Sequence, residues 1–156
     1  MTDAKRVLNY TTAVPVTKTV GECQHLLAQA GADAVAVLYK DKQPAGLAFS
    51  LSTPHGNRDF TLPVNVDGVH RLLSEMDYGP NSRPVRTNVY RTREHAAAVA
   101  WRVIKDWLEA QLALIDAEMA TLTEIMLPYL QIEPGRTLWQ AYQDNERKAL
   151  EAGSDG

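Results

Sequence analysis

The feature that most constrains this chain is Thr92 to Ala120, TREHAAAVAWRVIKDWLEAQLALIDAEMA, a run without Gly or Pro. It is rich in strong helix formers and opens on a threonine able to cap the first free N–H groups. One helix of that length spans roughly 43 Å at ~1.5 Å per residue, more than the usual diameter of a domain this size. The rest of the 156 residues must therefore be built around it, unless part of it projects to meet a partner.

Two apolar stripes run along the helix. Ala97, Trp101, Ile104, Leu108, Ile115 and Met119 form one, and Val99, Val103, Trp107, Ala110 and Leu114 form its neighbour. So broad an apolar arc needs two partners. The sheet is expected to cover one stripe, and the C-terminal helices or a second subunit the other, which makes Trp107 and Leu114 candidate oligomer-interface residues. Trp101 and Trp107 also read as core. A third stripe carries Arg102 with Asp106 and Lys105 with Glu109, opposite charges four residues apart that suit a solvated face.

The segments around the helix supply the sheet. Residues 1–18 contain Pro15 among polar and β-branched residues and are expected to form an extended arm. Thr19-Val20-Gly21-Glu22 has the form of a capping box, which predicts a helix from Val20 to Ala30, stopped by Gly31. From Asp33 the apolar period changes to two. Strands are expected up to Lys40, over Ala45 to Leu51 and over Arg58 to Val64, with turns at Asp41–Pro44 and Thr53–Asn57. Asn65 or Asp67 can cap a short helix with Val66, Val69, Leu72, Leu73 and Met76 on one face, which should lie on the sheet. Asp77 to Arg91 has two prolines and a glycine and is expected to be a surface loop.

After the long helix, a second capping box at Thr121-Leu122-Thr123-Glu124 starts a short helix that Pro128 ends. Thr137 caps a last helix, whose Leu138, Trp139, Tyr142, Ala149 and Leu150 are expected to pack back on the body. Residues 151–156 are expected to be a disordered tail. The resulting class is α+β: a helix, a three-stranded antiparallel β-meander against one long central helix, and short C-terminal helices, with residues 19–150 as one domain.

Composition excludes several functions. The net charge of −3 argues against a general polyanion binder. The single cysteine, Cys23, rules out an intrachain disulfide framework and suits a reducing cytoplasm. No stretch approaches the ~18 apolar residues of a membrane span, and the first residues lack a signal-peptide apolar run. His25, His55, His70 and His95 show no metal-ligand spacing, so no metal or cofactor is expected. Gly-x-Ser-x-Gly and phosphate-cradling glycine loops are absent. One suggestive turn, Pro54-His55-Gly56-Asn57-Arg58, carries a His and an Arg that a small hydrolase would need, but these are also ordinary turn-forming neighbours. An enzyme is not expected.

The informative polar feature precedes the long helix. Between Asn81 and Lys105, Arg83, Arg86, Arg91, Arg93, Arg102 and Lys105 face one acid, Glu94, with Tyr78 and Tyr90 nearby. Arginine interleaved with aromatic rings suits phosphate contact and base stacking, and equally an acidic protein surface or a solvated loop. Arg83, Arg86, Tyr90, Arg91 and Arg93 are the candidate nucleic-acid or partner-binding residues.

The chain resembles a group of short proteins of tailed bacteriophages and prophages. The likeness rests on Asn9-Tyr10-Thr11, Val14-Pro15-Val16, Leu62-Pro63 before Asn65 to Val69, Ala100-Trp101-Arg102, Asp106-Trp107, Gln111 to Ile115, and Leu127-Pro128-Tyr129. It implies a phage or prophage origin and a host-cytoplasmic setting, and it carries over no functional residue. The order helix, meander, long helix is also similar to the core of single-strand annealing proteins, whose ring subunits carry a basic groove, although the extra helix before the basic loop departs from that pattern. The expectation is a non-enzymatic accessory protein that contacts nucleic acid, single-stranded and linked to recombination or replication, as a homo-oligomer. The alternative is a small interaction or inhibitor protein acting on a host or phage protein.

Overall fold

A computed structural model describes residues 7–154, so residues 1–6 of the expected arm and 155–156 of the expected tail lie outside the described residues. The first helix, α1 (Val16–Gln29), starts one turn earlier than the capping-box reading placed it. Pro15, at φ −65°, occupies the N-cap position and its carbonyl accepts from Thr19 N–H. Proline's fixed φ and missing N–H suit a helix start, so the helix begins before Thr19 can act as a cap. Thr19 is instead fully buried, its hydroxyl without a partner among the described residues. Residues 7–11 ahead of the helix form turns rather than an extended arm. Gly31, at φ +110°, ends α1 as expected, with Ala32 N–H donating back to Leu27 O.

Strands β1 (Ala34–Lys40), β2 (Gln43–Thr53) and β3 (Gly56–Pro63) form the antiparallel meander in the order β1-β2-β3. The first turn is tighter than expected: Asp41 and Lys42, both at positive φ, form a two-residue hairpin loop, and Pro44 lies inside β2 beside a register shift. Leu47, Phe49 and Leu51 of β2 and Phe60 and Leu62 of β3 fill the buried face. Phe49 and Phe60 are cross-strand partners whose rings stack at 5.1 Å. Gly46 is required where it stands, because a Cβ there would meet Leu62 O at 2.8 Å.

The helix α2 (Val66–Glu75) is capped by Asn65, whose side-chain oxygen accepts from Gly68 N–H. Its main partner is the long helix rather than the sheet. Leu73 and the following Met76 bury against Ala96 and Val99 of that helix and Val7, forming a second, smaller core. The expected loop 77–91 contains a short helix, α3 (Pro84–Tyr90), begun by a proline at its first position.

The long helix, α4 (Arg93–Asp116), has 24 residues and spans about 36 Å. Thr92 caps it through a bond from His95 N–H. It stops four residues before the expected end, where Glu118 takes φ +59° and Met119 N–H closes back on Leu114 O. The new capping box at Thr121, formed in both directions, then starts α5 (Leu122–Met126), which returns Leu122 and Met126 to the core. A 3-10 turn, Leu127–Tyr129, holds Pro128.

One stripe of α4 meets the sheet as expected, while much of the other meets α2 rather than the C-terminal helices. Trp101 and Leu108 join α1, the sheet and α5 in the main core, while Val99 and half-buried Val103 belong to the α2 core. Trp107 is half-buried against the main core, and Leu114 is exposed. The charged stripe is an interface rather than a solvated face. Arg102 pairs at 2.9 Å with Glu22 of α1 instead of with Asp106, and Asp106 accepts from Asn9 at 2.7 Å. The Lys105–Glu109 pair forms as expected, at 2.6 Å.

Beyond Leu130, a hairpin that the sequence reading missed, β4 (Gln131–Glu133) and β5 (Arg136–Thr137), turns at Gly135. The last helix, α6 (Leu138–Ser154), is capped by Thr137 and continues through 151–154, residues assigned to the tail from sequence. It lies on β5 and the 3-10 turn, and none of its residues is buried. Trp139, Tyr142 and Leu150 are thus exposed rather than packed on the body.

Two outcomes follow from this core. Thr19→Val removes a buried, unpartnered hydroxyl and should raise stability by about 1 kcal/mol in denaturant unfolding, since such a group costs roughly 1–3 kcal/mol; a loss of stability would contradict the assignment. Burial pushes the Cys23 thiol up to about 12. Alkylation should therefore be slow in the native protein and fast in denaturant. Because the native value lies above the unfolded one of 9.0, the stability linked to this group is complete below 9.0 and is lost as pH rises from there toward about 12.

Candidate functional site

The arginine-rich segment closes a cleft rather than forming an open loop. Two stretches far apart in sequence meet at the start of α4: the turn Asn9-Tyr10-Thr11 and the segment Tyr78 to Tyr90. Asn9 is held at φ +65°, a conformation that asparagine tolerates better than most residues, and its amide donates to Asp106 on α4. This places the carbonyl of Tyr10 2.5 Å from His95 Nε2.

The Tyr10 ring then meets Tyr90 edge-on at 5.6 Å and Tyr78 at 6.1 Å. Tyr78 and Tyr90 lie 5.6 Å apart, and Tyr90 also contacts the His95 ring at 5.0 Å. Such tilted and edge-to-face pairs each add about 0.5–1.5 kcal/mol beyond area burial. Backbone acceptors fix the segment further. Tyr78 Oη donates to Leu73 O at 2.8 Å, Ser82 Oγ donates to Tyr78 O, and His70 Nε2 lies 3.0 Å from Arg91 O. Partial burial holds the Tyr78 phenol above its usual pKa despite the opposing pull of Arg91, so Tyr78 is neutral across the physiological range.

The resulting cleft has a volume of about 460 Å³. Tyr10, Tyr78 and Tyr90 line it, with Arg83, Arg86 and Asn81 among the polar residues around them. Volumes of about 300–1,000 Å³ are typical of small-ligand sites.

The five residues singled out from sequence divide into three groups. Arg83, Arg86 and Tyr90 line the cleft. Arg91 is committed to structure: its guanidinium lies 5.0 Å from the Tyr78 ring centre and donates to Met76 O at 3.4 Å. Arg93 leaves the cluster and pairs at 2.5 Å with Asp67 of α2, which holds the Asp67 carboxyl below its usual pKa. With Arg102 and Lys105 also paired on the α1 side, Arg83 and Arg86 are the cleft arginines without an acidic partner among the described residues. Sequence reasoning missed Tyr10 as a site residue, although Asn9-Tyr10-Thr11 had stood out as a motif; the signal absent from a linear reading was the left-handed Asn9 that folds it onto α4.

The His55 turn offers no comparable assembly. Arg58 is occupied by the carbonyls of His55 and Asn57, and His55 N–H donates to Thr53 Oγ1, so the turn is bound to itself. No group of three or more His, Cys, Asp or Glu residues suited to a metal ion occurs among the described residues. No helix among them is long and apolar enough to cross a membrane. No family model matches the chain, and no curated protein or solved structure is significantly similar to it.

The division among the arginines is measurable without a ligand. Arg83→Ala and Arg86→Ala, at exposed positions, should each change unfolding free energy by less than about 0.5 kcal/mol. Arg91→Ala, which removes a cation–π contact and a carbonyl partner, should cost about 1 kcal/mol or more in the same denaturant titration. Equal effects at all three positions would contradict the assignment.

Proposed function

We propose that this protein is a non-catalytic accessory protein, of phage type, that holds single-stranded nucleic acid in the tyrosine–arginine cleft. The observation that carries the reading is the pairing of an aromatic cluster, Tyr10, Tyr78 and Tyr90, with Arg83 and Arg86, two guanidinium groups that no acid in the described structure neutralises. Aromatic rings accept the flat face of any unpaired base, while planar guanidinium forks suit phosphate oxygens. A base in a duplex is stacked on both faces, so single strands fit this chemistry and duplexes do not. The acidic net charge of the chain limits the electrostatic contribution to the few arginines of the cleft.

A second reading, an acidic protein partner at the same cleft, is favoured by one observation. Val85 and Val89, one turn apart on α3 beside Arg86, are 78% and 52% exposed. Apolar groups flanking a cation suit a protein surface better than a sugar–phosphate chain.

Anisotropy of a labelled single-stranded oligonucleotide, titrated at several salt concentrations, tests the first reading. Binding should weaken with salt, and replacing Arg83 and Arg86 should flatten the log–log slope by about 0.7 for each phosphate contact removed. Tyr90→Leu should weaken binding by roughly 1–3 kcal/mol. Absence of binding at low salt would overturn the nucleic-acid reading, and retention of an acidic protein by the same bait, lost in Val85→Ser, would replace it with the second.

A further inference from the structure

The tyrosine–arginine cleft carries its positive charge at one point. Among the described residues that line it, Arg83 and Arg86 are the cations, and no acid accompanies them. Arg86 N–H donates to Arg83 O at 3.0 Å, so the two share one turn at the start of α3, with their Cβ atoms roughly 5–6 Å apart. Guanidinium groups rooted so close together can converge on a single phosphate. The Ser82 and Thr87 hydroxyls, also in the lining, donate to the carbonyls of Tyr78 and Pro84, which leaves the anion to the arginines. The positive charge does not continue beyond them. Arg91 is held over the Tyr78 ring and Arg93 by Asp67, while Val85 and Val89 are the exposed apolar neighbours along α3. At the Gly79 rim, Asp77 Oδ1 accepts from Gly79 N–H at 2.9 Å, which sets an exposed carboxylate beside the lining residues. A site for the interior of a strand needs a positive groove that tracks successive phosphates. On these two sides a strand leaving the cleft meets apolar side chains or a carboxylate instead.

We propose that the cleft binds one nucleotide through a phosphomonoester, with the base on the tyrosine rings and the phosphate between Arg83 and Arg86, so that its ligand is the phosphorylated end of a strand rather than a strand interior. The inference rests on the stacking and guanidinium chemistry of the nucleic-acid reading and narrows it to a terminus. Charge selects the monoester. Near pH 7 a phosphomonoester carries about −1.5 to −2 and three strong acceptor oxygens, which match two guanidinium forks, whereas a phosphodiester carries a single negative charge. Size points the same way: about 460 Å³ lies in the lower part of the ~300–1,000 Å³ range of small-ligand sites and suits one nucleotide. A free nucleoside monophosphate has the same chemistry as a phosphorylated strand end, and the binding experiment separates the two sources.

Three single strands of one sequence, labelled at an internal base and ended by a 5′-phosphate, a 3′-phosphate or hydroxyls only, are titrated against the whole protein. One phosphorylated form should bind roughly tenfold more tightly than the hydroxyl form. Arg83→Ala and Arg86→Ala, at exposed positions, should each bring that form down to the level of the hydroxyl form, and lengthening the strand should leave its affinity unchanged. Free nucleoside monophosphate should displace it, and the nucleoside should not. Equal binding of phosphorylated and hydroxyl forms, affinity that rises with length, or a phosphorylated strand that the monophosphate fails to displace would overturn the single-nucleotide inference and leave the nucleic-acid reading standing. Binding of the monophosphate with none of the three strands would keep the phosphomonoester site and overturn the strand reading. No binding of strands or monophosphate at low salt would overturn both.

Discussion

Trp101 loses all contact with water yet keeps an indole N–H that needs an acceptor, and the rest of the molecule is arranged around that requirement. Its ring is fully buried in the middle of α4 and its Nε1 donates to Pro44 O on β2 at 3.3 Å. An indole of this size removes on the order of 200 Å² from water, which makes Trp101 a strong tie between the long helix and the sheet. Pro44 cannot donate to the ladder, but its carbonyl is available to accept at the bulge where β1 and β2 shift register. One bond thus joins the irregular start of β2 to the centre of α4. Two residues beyond Pro44, Gly46 lets β2 lie close to β3, because a Cβ there would meet Leu62 O at 2.8 Å.

With α4 fixed over the sheet, its sides are assigned. One side meets α1 through apolar contacts and the Glu22–Arg102 pair, whose partly buried side chains make it less screened than an exposed pair. The other meets α2 and the segments before and after it, and the cleft stands at that end. Its floor comes from residues nearly seventy positions apart, Tyr10 and Tyr78, brought together because both are anchored to α4 or to its neighbour α2. The α5 helix and the β4–β5 hairpin are tied to the main core and to β3, and α6 rests on β5 and the 3-10 turn with its side chains exposed or half-buried.

The legible part of the fold was local. The meander came from a period of two, the start of α4 from Thr92, and α5 from a capping box that formed as written, because each depends on neighbours within four residues. Several of the errors involved distant partners or rigid backbone. Pro15 took the start of α1 away from Thr19; Glu22 satisfied Arg102 where Asp106 had seemed the obvious partner; and α6, amphipathic in sequence, was assigned a home on the body that its start on β5 does not give it. For the candidate site, composition pointed to the segment and its arginines. It could not separate the lining Arg83 and Arg86 from Arg91 and Arg93, because that depends on Tyr78 and Asp67 lying where only the folded chain places them.

The most direct test of this account is a map of contact at residue resolution. Ultraviolet cross-linking of a short single-stranded oligonucleotide to the whole protein, followed by peptide mass spectrometry, should place the adducts on Tyr10, Tyr78 and Tyr90, in two peptides distant in sequence. Adducts confined to Trp139 and Tyr142, or to the Pro54–Arg58 turn, or no adducts under conditions in which the oligonucleotide is retained, would contradict the assignment of the cleft as the binding site.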